Sequence, residues 1–132
     1  MIAIVDDTKE IANSLVDWFG LLGRDATAHY SAESLLEWLQ DSQANAGGNP
    51  VNTTSLLDAA ILDINLPGIN GIELAHKLRL IFPDLPLLLI SALRHEEVES
   101  LGPLPVGVSF LRKPFDLKAI EGFLFKKPDG SM

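Results

Sequence analysis

The feature that most limits the fold of this chain is an alternation. Short apolar runs, each stopped by a polar or charged residue, take turns with segments whose apolar residues recur every three or four positions. Residues 2–5 (IAIV) stop at Asp6-Asp7, and residues 59–62 (AAIL) stop at Asp63. Residues 86–90 (PLLLI) stop at Ser91-Ala92, and residues 106–111 (VGVSFL) stop at Arg112-Lys113-Pro114. The run 2–5 suits a strand buried on both faces and 59–62 a second buried strand, while 86–90 is a third apolar run and 106–111 reads as a last strand. A weaker stretch, 25–30, alternates and reads as an edge strand.

Helical patterns fill the intervals. Ile11, Leu15, Trp18 and Leu22 form one stripe, with Ala12, Val16 and Phe19 beside it; Asp7 and Glu10 have capping-box spacing at its start. Ser31 is placed to cap a second helix carrying Ala32, Leu35, Leu36 and Leu39. Residues 41–57 have no period, are rich in Asn, Ser, Thr and Gly, and read as a long loop. Asn70 and Glu73 can cap a third helix whose stripe is Leu74, Ala75, Leu78, Ile81 and Phe82. Residues 95–100 suit a short helix that Pro103 and Pro105 forbid from extending. Asp116 can cap a last helix through Leu117, Ile120, Phe123 and Leu124. The pattern is a βα unit repeated five times, which implies a parallel sheet with helices on both faces.

Composition excludes several classes. At 132 residues the chain is one domain, expected to occupy residues 1–127, with 128–132 a tail or the start of a linker. It has no cysteine, so disulfide, thiol and thiolate-metal chemistry are absent. The net charge of −8 disfavours direct nucleic-acid binding, because no surplus of cations exists to displace counterions. No apolar run approaches the roughly 18 residues of a membrane span. The MIAIVDD start lacks the basic segment of a secretion signal, so the expected location is the cytoplasm.

Ligands in open α/β sheets bind beyond the carboxyl ends of the strands. If the strands are neighbours, Asp6, Asp7 and Asp63 converge there. Two like charges 4 Å apart repel by about 4 kcal/mol at an effective dielectric of about 20, so the cluster calls for protons or a cation. No histidine stands at these strand ends, and His29, His76 and His95 do not pair at ligand spacing. An all-oxygen set suits Mg²⁺. An aspartate beside Mg²⁺ can act as a nucleophile toward a phosphoryl group. Lys113 and Ser91 could then cover the remaining oxygens. Singly, each residue has a plainer explanation. Asp6 and Asp7 could end a strand and cap a helix, Ser91 could be structural, Lys113 a solvated surface charge, Phe110 core, and Gly68 and Gly71 turns. The coincidence of Asp6-Asp7, Asp63, Ser91 and Lys113 at four strand ends is what favours a site.

These residues resemble the receiver domain of two-component response regulators. The resemblance rests on the acid pair in IVDD, on LDINLPGINGIEL, on the ISA after the fourth strand and on FLRKPF, in this order and over nearly the whole chain. It implies a flavodoxin-like fold with five parallel strands in the order 2-1-3-4-5. By position, Asp63 matches the phosphoacceptor, Asp7 the direct Mg²⁺ ligand and Asp6 the acid that acts through a bound water. Asn65 matches the position whose backbone carbonyl completes the metal site. Ser91 matches the hydroxyl that bonds the phosphoryl group, Ala92 a small residue that leaves access, Lys113 the phosphate's cation and Phe110 the aromatic switch. The Lys113–Pro114 bond matches the family's cis peptide. The implied donor is a sensor histidine kinase or a histidine phosphotransfer protein; the output partner is not specified.

Two features depart from the family pattern. The 41–57 segment is longer than usual and is expected on the face opposite the site. Gly102-Pro103-Leu104-Pro105 is expected to truncate the fourth helix, part of the surface most receivers use for output or dimerisation. Other readings are weaker. A phosphatase with an aspartyl intermediate would carry a second Asp two residues after the first, where Asn65 stands. A degenerate receiver serving only as an interaction module would not need the complete acid, serine and lysine set. A dinucleotide-binding enzyme would have a glycine-rich turn where Asp6-Asp7 stands.

Overall fold

The structure, a computed structural model, describes residues 1–44 and 57–124. The strands are β1 (Ile2–Val5), β2 (Ala26–His29), β3 (Ala59–Asp63), β4 (Leu87–Ser91) and β5 (Val108–Arg112). The helices are α1 (Lys9–Leu21), α2 (Ala32–Ala44), α3 (Gly71–Ile81), α4 (His95–Ser100) and α5 (Leu117–Leu124). The sheet is parallel throughout, in the order β2-β1-β3-β4-β5.

Period-two alternation within buried strands divides the core. Ala3, Val5, Ala60, Leu62, Leu87 and Leu89 face one side, where they meet Leu35, Leu74 and Leu78 of α2 and α3. Ile2, Ile4, Ala59, Ile61, Leu88 and Ile90 face the other, against Ala12, Leu15 and Phe19 of α1 and Ile120 of α5. Both faces are covered, which is why these strands read as continuous apolar runs. The β3 partner of Val5 is Leu62, and the β4 partner of Asp63 is Ile90, so the chain segments that follow β1, β3 and β4 emerge side by side.

Several local expectations hold. Asn70 Oδ1 accepts the Glu73 N–H at 2.9 Å and caps α3. Ser31 Oγ accepts the Ser34 N–H at 3.1 Å at the start of α2. Asp116 Oδ1 accepts the Lys118 N–H at 3.1 Å at the start of α5. Helix α4 stops at Ser100, ahead of both prolines. The Lys113–Pro114 peptide is cis.

Others need correction. Asp7 does not cap α1. The N-cap is Thr8, whose own N–H is held by Asp6 Oδ1 at 2.9 Å, and Asp7 is left exposed. Leu22 and Ile81 do not belong to buried stripes; both are exposed, at positions where their helices end. The expected 41–57 loop begins too early, because α2 continues through Ala44. The polar residues of 41–43 extend a helix that Leu35 and Leu39 anchor, and tertiary packing outweighs local propensity. Residues 45–56 of that segment, and the expected tail at 128–132, lie outside the described residues, whereas Leu57 is described and buried in the core. The last strand starts at Val108 rather than at residue 106, because Gly107 adopts a left-handed φ of 77° that breaks extended backbone.

Candidate functional site

The site is built where β1, β3, β4 and β5 end. Asp6 follows β1, Asp63 and Ser91 are the last residues of β3 and β4, and Lys113 follows β5. Asp6, Asp63 and Ser91 are buried, with exposures of 0%, 4% and 0%. Asp7 is exposed at the rim. One carboxylate oxygen from each of Asp6, Asp7 and Asp63 lies within 4.8 Å of the other two. Lys113 reaches in from the β5 side, with Nζ 3.2 Å from Asp6 Oδ2 and 3.3 Å from Asp63 Oδ2.

Hydrogen bonds orient these groups. Asp63 Oδ1 accepts the Asn65 N–H at 3.2 Å, so Asn65 turns sharply after the strand. Ser91 Oγ accepts the Leu93 N–H at 3.0 Å, which fixes the hydroxyl oxygen and leaves its proton free to be donated. Lys113 is placed by its own N–H, which donates to the Ser91 carbonyl at 2.8 Å. Ala92 is exposed beside them. A hollow of about 580 Å³ opens next to Lys113 and Ala92, with Ile11, Leu15 and Phe115 in its wall. Phe110 is half-buried on β5 against the core side that carries Val98 and Leu104.

Charge at Asp63 is costly. Burial raises its pKa first and the neighbouring Asp6 charge second, while Lys113 and the Asn65 N–H pull it down; the net result is a rise to about 6. Asp63 is therefore a more basic oxygen nucleophile than an ordinary carboxylate, yet it remains largely ionised at neutral pH.

The structure brings Asp6, Asp7, Asp63, Asn65, Ser91 and Lys113 to one end of the sheet, with Phe110 on the strand that leads to Lys113. Sequence inspection undervalued Gly71. A Cβ there would collide with the backbone carbonyl of Asp63 and would lie 2.8 Å from Ile64 Cα, so α3 packs directly behind the Asp63 peptide. The signal available was only a glycine at the first position of a helix, where it is a poor helix former. Glu33 gave no local signal. Its Oε2 accepts the Ile69 N–H at 3.2 Å across 36 residues of sequence.

Comparison with known proteins agrees with this architecture. The response regulator receiver domain family matches residues 2–124. A probable transcriptional regulatory protein of Picosynechococcus sp. is 33% identical over 120 residues, which is 90% of this chain and 45% of that protein. The DNA-binding transcriptional regulator NtrC of Azospirillum brasilense is 28% identical over 120 residues, 90% of this chain and 22% of its own length. The chain thus spans less than half of either relative. A solved response regulator receiver protein from Sinorhizobium medicae matches with a TM-score of 0.74 at 22% identity, covering 94% of this chain and 90% of that one, a likeness of fold. With five parallel strands in this order and a match along almost its whole length, the chain belongs to the response regulator receiver domain family of two-component systems.

Proposed function

We propose that this domain is a phosphorylation-dependent switch in which Asp63 accepts a phosphoryl group from a sensor histidine kinase or a histidine phosphotransfer protein, in a Mg²⁺-dependent reaction. The observation that carries this reading is the meeting of Asp6, Asp7 and Asp63 with Lys113 at one end of the sheet. Three carboxylate oxygens within 4.8 Å of one another fit a hard divalent cation. Asp6, Asp7 and Asp63 would hold it, with the Asn65 carbonyl completing the set. Bound there, Mg²⁺ supplies positive charge against the phosphoryl oxygens.

The remaining chemistry falls to the chain's own groups. An Asp63 carboxylate oxygen bonds to phosphorus as the phosphorus–nitrogen bond of the donor's phosphohistidine breaks. The bonding pair leaves with the imidazole nitrogen, and Asp63 becomes an acyl phosphate. Lys113 pairs with one phosphoryl oxygen, and the Ser91 hydroxyl donates to another. Ala92 leaves the approach open, beside the hollow in which a donor side chain can rest. Hydrolysis reverses the mark when a water oxygen bonds to phosphorus and the carboxylate departs. The chain is a phosphoacceptor that assists its own phosphorylation and dephosphorylation.

The output is a population shift. Phosphate on Asp63 draws Ser91 inward, Phe110 repacks into the vacated space, and the face near β5 changes its affinity for an output domain or protein. The transcriptional regulators to which the chain is similar make control of transcription the favoured output, exerted through that partner. The setting is the cytoplasm; among the described residues, no helix is long and apolar enough to cross a membrane.

Intact mass after incubation with acetyl phosphate and Mg²⁺ tests the reading. One added phosphate is expected on the wild type, and none on Asp63→Asn or in excess chelator. No adduct on the wild type, or an adduct that survives Asp63→Asn, overturns it. In the first case, retained partner binding favours the interaction-module alternative; steady turnover of para-nitrophenyl phosphate favours a phosphatase.

A further inference from the structure

We infer that Glu33, on the first turn of α2, is a positioning residue for the metal and phosphoryl site, acting through the loop between β3 and α3. The inference rests on the function proposed above and names a part of the molecule that the sequence motifs do not include. The loop must hold Asn65 in place, because its backbone carbonyl belongs to the proposed metal set. Its near half is held from within: Asp63 Oδ1 takes the Asn65 N–H at 3.2 Å, and the Ile64 carbonyl takes the Leu66 and Gly71 N–H groups, each at 3.0 Å. Its far half is held from outside. Glu33 Oε2 accepts the Ile69 N–H at 3.2 Å.

The approach is close, and the left-handed backbone at Gly68 is what favours glycine there. Gly68 has a φ of +72°, and a Cβ on it would lie 2.9 Å from Glu33 Oε2. The loop backbone therefore passes directly against the carboxylate. The partner it holds sits on the chain that also bears Asn65, and outer groups that fix a ligand's orientation tune metal affinity. A plainer account is that Glu33 merely complements the positive end of α2. The two accounts differ in what Gln at this position does, since its amide oxygen can accept the Ile69 N–H but carries no charge.

The test compares the 132-residue wild type, Glu33→Ala, Glu33→Gln and a control, Glu37→Ala, an exposed acid one turn further along α2. Mg²⁺ Kd is read by calorimetry, amide exchange at Ile69 by NMR, and phosphate uptake by intact mass at sub-saturating Mg²⁺. Glu33→Ala is expected to raise Kd by about two- to tenfold, the range an ordinary intramolecular hydrogen bond carries. It is also expected to speed Ile69 exchange and slow uptake to match, while Glu33→Gln stays much nearer the wild type and Glu37→Ala does not move. An unchanged Kd in Glu33→Ala overturns the inference. So does an equal shift in Glu33→Gln, which assigns the effect to charge alone. A wild type that binds no Mg²⁺ and takes no phosphate sinks the functional reading itself, whereas normal wild-type uptake with an unmoved Glu33→Ala sinks only the role of Glu33.

Discussion

Lys113 Nζ stands 3.3 Å from Asp63 Oδ2 across 50 residues of sequence. The same ammonium lies 3.2 Å from Asp6 Oδ2, so one cation answers two buried carboxylates. Breaking such an arrangement leaves charge without compensation. The lysine also stands where an incoming phosphoryl oxygen would need a positive partner.

Lys113→Ala should therefore slow phosphate uptake by Asp63 by about 10²-fold, the scale of losing one preorganised charge-stabilising group. Intact-mass time courses with acetyl phosphate and Mg²⁺ measure it. Uptake at the wild-type rate would show that the lysine is only structural.

Asp63 makes the metal-free domain more stable in mild acid. Its folded pKa lies near 6, against an ordinary value of 3.8. Between those values the folded state binds a proton that the unfolded chain does not. The Asp63 contribution to stability therefore rises as pH falls from about 6 to about 4, and it is least favourable above 6. His29 works the opposite way, because burial lowers its pKa and the unfolded chain binds its proton more readily. Subtracting the two proteins isolates Asp63. Without divalent cation, Asp63→Asn should be more stable than the wild type at pH 7, and the gap should close toward pH 4. Urea titrations across this range check it; a gap independent of pH would contradict it.

Gly71→Ala should cost about 1–3 kcal/mol, the usual penalty for forcing an extra methyl into a packed site. It should also reduce phosphate uptake, because the Asp63 backbone must shift to admit the Cβ. Gly20→Ala is the contrast. A Cβ at Gly20, in α1, meets nothing within 4 Å, so the change should stabilise by about 0.5 kcal/mol. Chemical denaturation of both variants reads the difference.

The conformational output should depend on Ser91. Addition of beryllofluoride and Mg²⁺ should shift the backbone amide resonances of β5 around Phe110 in the wild type. In Ser91→Ala those shifts should shrink severalfold while beryllofluoride still binds, since the hydroxyl that follows the phosphate is gone. Equal shifts in the two proteins would sever Ser91 from Phe110.

Much of this molecule was legible in the sequence because local patterns report local physics. Asn70, Ser31 and Asp116 cap the helices they precede, and Pro103 and Pro105 lie beyond a helix that stops at Ser100. Where a choice depended on distant groups, inspection erred. Asp7 has the better spacing for a cap, yet Thr8 occupies that place, because Asp6 is buried in the sheet and its carboxylate claims the Thr8 N–H. The polar end of α2 remains helical beyond the point where its own residues favour it.

By itself, the sequence determined that β1 and β3 would be buried on both faces and which side chains would stand at the strand ends, but not that β5 would be a half-buried edge. Burial on two faces requires an unbroken apolar run, and a polar residue must wait until the sheet lets go. Only the tertiary structure decided how near those ends come to one another. The 3.3 Å between Lys113 and Asp63, the raised basicity of Asp63, and the reach of Glu33 to Ile69 all follow from strand order and helix packing. Electrostatic energy depends on separation and on exclusion of water, and neither is a property of neighbouring residues along the chain.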